Sequence, residues 1–202
     1  VTGITKTVNR FAKTNLPDGG IGWRGIIGTD TVTSMWGSSP DDVWMTADNS
    51  TYVAHERGKT LRGVPADAGP DAAAGYDTFT WTAIDSQSLV ALEAIRGTSA
   101  DDVWAVGANG TIRHITPPFE RWEKVESNTN VTLRGVWGSA PNDVWGVGDT
   151  GTVLHYDGTE FQPASVQLPL GRKPNLYGVW GSGPDDVWIV GEGVVLHYTG
   201  PK

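Results

Sequence analysis

The chain has 202 residues, a mass of 21.6 kDa and a net charge of −8, which disfavours nucleic acid or an anionic bilayer as its main partner. It contains no cysteine, so disulfides, thiolate metal sites and cysteine nucleophiles are excluded, and no apolar run approaches the about 20 residues of a spanning helix. Twenty-seven glycines and ten tryptophans point to many tight turns joining short aromatic strands: an all-β chain of a size that suits one domain.

Read from the N-terminus, the chain starts at Val1 without an initiator methionine, as expected of a processed or trimmed product. Residues 8–14 form the first expected strand. Residues 19–25 follow as a glycine-rich connection that sets Trp23 beside Arg24, an aromatic and a planar cation suited to contacting a sugar or a peptide. From there one phrase recurs, with Ser-Met-Trp-Gly-Ser-Ser-Pro-Asp-Asp-Val-Trp at 34–44 and its relatives at 94–104, 135–145 and 178–188. Its last tryptophan falls at Trp44, Trp104, Trp145 and Trp188, in steps of 60, 41 and 43 residues. A period near 40 is the length of a β-propeller blade.

Each unit continues into a second shared phrase that carries His55, His114, His155 or His197, all the histidines of the chain. In the third unit the strands read as 133–138, 143–148, 151–156 and 160–164, separated by Pro, Asn, Asp and Gly clusters that include the hairpin signal Asp157-Gly158. The strands are apolar on both faces, which only sheets stacked between neighbours satisfy. The expected architecture is therefore a small all-β propeller of four blades, each of four antiparallel strands, in a single domain spanning 1–202. Blade one covers about 32–84 with a loop insertion at 58–77, blade two 92–126, blade three 133–165 and blade four 176–198. The last unit ends after three strands, so residues 8–14 are assigned to it as the outer strand that closes the ring. A monomer results, or a strand-swapped dimer if that strand is lent to a neighbour. The insertion is small, acidic and broken by prolines, hence a surface loop; the alternative is a lid or partner-binding arm carrying Arg57, Lys59 and Arg62.

The phrase at 135–145 and its continuation Gly-Thr-Val-Leu-His-Tyr-Asp-Gly at 151–158 resemble the β-propeller repeat common in exported proteins of myxobacteria and related bacteria. Units three and four match in full. Unit two replaces the first tryptophan with Arg96, and unit one departs after Trp44, at Met45-Thr46-Ala47. The resemblance covers most of the chain. It implies the fold and an extracellular, cell-surface or periplasmic location, and assigns no activity.

Fourfold-related histidines invite a shared metal, but they sit outside the inner strands and too far apart for one ion. Each imidazole is expected instead to bond the turn aspartate or serine of its own blade. The turns holding Asp41-Asp42, Asp101-Asp102, Asn142-Asp143 and Asp185-Asp186 lack the spaced carboxylates of a calcium loop, and the repeat tryptophans are assigned to the core between blades. No metal, cofactor or catalytic residue is nominated. Departures from the repeat carry the ligand-binding assignment: Trp23 and Arg24, Arg96 on an inner strand, where it stacks on a tryptophan or faces the channel, and Arg172 and Lys173 on the connection before blade four. The functional expectation is a noncatalytic binding or scaffold module presenting loops on one face to a protein or glycan. The alternative is a propeller lectin with repeated inter-blade pockets, followed by a hydrolase or lyase using Arg96 and channel carboxylates.

Overall fold

A computed structural model describes residues 14–15, 21–22, 31–48, 57–65, 79–168 and 171–200. Apart from the short pair β1 (Thr14–Asn15) and β2 (Ile21–Gly22), the described strands form four antiparallel sheets in chain order. Blade one is β3 (Thr31–Ser39), β4 (Asp42–Asp48), β5 (Lys59–Pro65) and β6 (Phe79–Ile84). Blade two is β7 (Leu92–Ser99), β8 (Asp102–Gly107), β9 (Ile112–Ile115) and β10 (Glu123–Val125). Blade three is β11 (Leu133–Ala140), β12 (Asp143–Gly148), β13 (Val153–Tyr156) and β14 (Phe161–Pro163). Blade four is β15 (Leu176–Gly183), β16 (Asp186–Gly191) and β17 (Val194–Tyr198). The fold is all-β and the four blades are those of a propeller.

The core lies between sheets because apolar residues, Val and Trp in every case, occupy both faces of each second strand. Trp44, Leu92, Ile95, Val103 and Trp122 fill the gap between blades one and two. Trp104, Leu133, Val144, Leu154 and Phe161 fill the next, and Trp137, Trp145, Leu176, Val187 and Ile189 the third. Sheets that wide apart at the rim must come close at the inner strands, and glycine permits it: a Cβ on Gly97 would collide with the Trp36 ring, and one on Gly181 would stand 2.5 Å from Trp137 Cη2.

Two expectations need correction. The third strand of blade one is β5, which takes up the first part of the segment 58–77 read as an inserted loop; it pairs with β4 over 59–63 and with β6 over 60–65. Trp44 lies opposite Arg62 in that register, so the phrase ending at His55, which lies outside the described residues, is not the one that fills this place. The pairing chemistry explains the difference, because an arginine there does what histidine does in the other blades, as described below. The second correction concerns closure. β3 packs on β7, β7 on β11 and β11 on β15, but β15 makes no comparable packing with β3, so the described sheets form an arc. The strand at 8–14 lies outside the described residues except for Thr14, whose partner is Gly22, and β17 has no outer neighbour among the described strands. Four repeats count the sheets; the angle between sheets depends on the bulk of the side chains wedged among them.

Candidate binding face

Every inner strand carries two β-bulges, and the two have different chemistry. The bulge near the strand end places Ser38, Thr98, Ser139 or Ser182 between ladder pairs. Each hydroxyl donates to the aspartate that opens the second strand: Ser38 to Asp42 at 2.8 Å, Thr98 to Asp102 at 2.5 Å, Ser139 to Asp143, and Ser182 to Asp186 at 2.5 Å. The other carboxylate oxygen accepts from the third strand. His114 Nε2 donates to Asp102 at 2.7 Å, His155 to Asp143 at 2.6 Å and His197 to Asp186 at 2.7 Å. Each imidazole also stacks on the tryptophan opposite it, with centroids 3.9, 4.2 and 3.8 Å apart for Trp104, Trp145 and Trp188. The expected bond from imidazole to the blade's own turn aspartate is present in all three.

In blade one Arg62 stands in the histidine's place. Its Nε donates to Asp42 at 2.7 Å, and its guanidinium lies 5.1 Å from the Trp44 ring and 4.2 Å from that of Phe119. Burial pushes the Asp102 carboxyl up, but hydrogen bonds from His114, Thr98 and the Trp104 Nε1 outweigh it and hold the group below its ordinary range. With both carboxylate oxygens occupied, these clusters brace each blade, and no group of three or more His, Asp or Glu suited to a metal occurs among the described residues.

The bulge near the strand start is where the blades differ. It falls on Thr33, Glu93, Arg134 and Tyr177. A bulge re-aims its side chain out of the pleat and is common beside functional sites. The four residues form a row in which each of the first three reaches toward the next blade. Thr33 Oγ1 donates to Leu92 O at 2.7 Å, the Glu93 charge acts on Arg134, and the Arg134 guanidinium lies 5.9 Å from the Tyr177 ring. Arg134 Nε also donates to Asp149 Oδ1 and its Nη2 to Oδ2 at 3.0 Å, a two-point pair that raises the arginine's affinity for its proton above the ordinary value. Tyr177 is 52% exposed. A hydroxyl, a carboxylate, an oriented guanidinium and an accessible phenol thus stand side by side on rigid strands.

The connection that carries Arg172 and Lys173 reaches the same end of the sheets. It clasps the β12–β13 turn, with Gly151 N donating to Pro174 O at 2.7 Å and Thr150 N to Asn175 Oδ1 at 3.1 Å. That turn supplies Asp149, so the exposed Arg172 and Lys173 border the row. Arg96 is half-buried on β7 opposite Trp104, and among the described residues no ring stacks on it. Trp23 and Arg24 lie outside the described residues. A polar cleft of about 500 Å³ opens on blade two, between the Asn109–Gly110 turn and the linker at 126–130. Glu93, Arg134 and Tyr177 were missed at the sequence level. The detectable signal was a single varying position, after Leu92, Leu133 and Leu176, inside an otherwise repeating phrase.

No family model and no curated protein matches the chain. Among solved structures it is similar to YCF48 bound to D1 peptide, with a TM-score of 0.62 and 17% identity over 89% of this chain and 55% of that one. YCF48 from Cyanidioschyzon merolae gives 0.61 and 18% over 90% and 58%, and the WD40 repeats of RRP9 give 0.54 and 14% over 85% and 50%. The likeness is one of fold, the β-propeller. The chain spans about half the length of these structures. No helix among the described residues is long and apolar enough to cross a membrane.

Proposed function

We propose that this chain is a noncatalytic binding module whose ligand is an extended peptide segment of a partner protein, held along the row Thr33, Glu93, Arg134 and Tyr177. The observation that carries the reading is the bulge pattern: one bulge in each inner strand has the same bracing role, while the other presents a different side chain in every blade. Four unlike groups in a row suit one composite ligand of mixed chemistry. Glu93 would receive a basic side chain and Tyr177 an apolar or aromatic one, with Arg134 kept in place by Asp149. That a propeller of similar fold is described as bound to a peptide, in YCF48, supports the ligand class. A lectin with equivalent pockets between blades would instead repeat its contact residues.

An array of short peptides probed with the labelled protein, followed by calorimetric titration of the best binder, is expected to give one site per chain. Tyr177→Ala and Glu93→Ala should each weaken it about tenfold, or about 1.4 kcal/mol, with thermal unfolding unchanged. Several equal sites on a glycan array, or peptide binding indifferent to both substitutions, would replace this reading. The repeat's resemblance to those of exported myxobacterial proteins supports a location outside the cytoplasm, and recovery in the cytoplasmic fraction alone would remove that assignment.

A further inference from the structure

Three kinds of contact join neighbouring blades, the first at two of the three junctions and the other two at all three. The inner-strand tryptophan covers a glycine of the following inner strand, Trp36 over Gly97 and Trp137 over Gly181. The second-strand tryptophan is capped by aromatics of the following blade. Trp44 meets Phe119 and Trp122 at 5.4 and 5.8 Å, Trp104 meets Tyr156 and Phe161 at 5.1 and 5.8 Å, and Trp145 meets Tyr198 at 5.1 Å. The positive-φ glycine between strands two and three is met by the linker to the following blade. Gly110 N donates to Val131 O at 2.9 Å, Gly151 N donates to Pro174 O, and Gly58 abuts the Val90 carbonyl.

The far side of blade four carries the same three elements, with no following blade to meet them among the described residues. Trp180 is 52% exposed, Trp188 40%, Val190 49% and Val195 63%, all on one face of the sheet, while Val187 and Ile189 on the other face are buried against blade three. Nothing lies within 4 Å of a Cβ on Gly193. The near side of blade one holds the complement. The three atoms nearest a Cβ on Gly37 all belong to its own hairpin, Ser39 O, Asp42 O and Val43 Cγ2, and Met35 beside it is 44% exposed. Met45, Ala47 and Leu61 on that face are already buried with Trp81, so Gly37, Met35 and the exposed Val32, which lies opposite Ala47, are its open part.

We propose that these two faces bind each other in a second copy of this chain, with Trp180 of one copy seated on Gly37 of the next. The contact repeats the Trp36–Gly97 and Trp137–Gly181 junctions, so it is continuous with packing the fold already uses. It is head-to-tail, and a head-to-tail contact gives a closed ring when its rotation closes. The proposal is independent of the peptide reading, which concerns the bulge row.

Sedimentation equilibrium of the chain at micromolar concentration is expected to give twice the 21.6 kDa mass. Trp180→Ser, which removes the knob, and Gly37→Trp, which fills the seat, should each give a folded monomer by circular dichroism. Mixing the two variants restores one intact junction, from the Gly37→Trp copy's Trp180 to the Trp180→Ser copy's Gly37, and should return the dimer. A monomer for the unaltered chain, a dimer indifferent to both substitutions, open-ended polymers, or a longer natural polypeptide that is monomeric with Trp180 covered by its own flanking blades would each overturn the proposal.

Discussion

Trp137 lies over Gly181 so closely that a Cβ there would stand 2.5 Å from the indole and 2.6 Å from the backbone oxygen of Asp186. One obstacle is a packed ring and the other is main chain, so neither yields by rotating a free side chain. Gly181→Ala should cost about 1–3 kcal/mol, the range for overpacking a tight interior. Gly183→Ala, two residues along the same strand with nothing within 4 Å, should change stability by less than about 0.5 kcal/mol. Urea unfolding of both variants separates them, and equal midpoints would show that the inter-blade approach is not limited by this glycine.

That contact also shows what the sequence could disclose. The spacing of Trp44, Trp104, Trp145 and Trp188 reveals the blades, because each blade is a local hairpin series that repeats its residues. The imidazole-to-aspartate bonds were legible for the same reason. Closure was not, since the angle between sheets is set by side chains meeting across them, and Trp180 reads the same whether covered or bare. The row Glu93, Arg134 and Tyr177 stayed hidden because simple alternation assigns each residue to one face of the pleat. Only the pairing register, with Leu133 opposite Gly148 and Gly135 opposite Val147, shows that Arg134 is an extra residue turned out of it.

The sequence offered Arg62 to a partner-binding arm, and its place on β5 was hidden by its residue type, since a search for the repeat histidine passes over an arginine that fills the same position. Its guanidinium bonds Asp42 and covers Trp44 and Phe119. Arg62→Ala should therefore destabilise the chain by about 1–3 kcal/mol, by leaving a largely buried carboxylate with one partner fewer. Arg62→His restores the residue used in the other blades and should recover part of the loss. Thermal unfolding of the two variants decides it; an alanine variant as stable as the parent would mean the pair contributes nothing.

Asp102 gives the bracing clusters a dependence on pH. Burial opposes its ionisation, yet the bonds from His114, Thr98 and Trp104 prevail and the carboxyl titrates below its ordinary value. An unfolded aspartate takes up its proton near pH 4. Above that pH both states are ionised, and the folded state has the full advantage of its bonded carboxylate. As the pH falls below about 4 the unfolded chain is protonated first, and the advantage fades until the folded carboxyl is protonated as well. Asp102→Asn should accordingly lower the melting temperature at neutral pH, and the gap from the parent should narrow as pH falls from about 4 toward 2. Melting curves across that interval test the assignment, and a gap of constant size would place the acid sensitivity on other carboxylates.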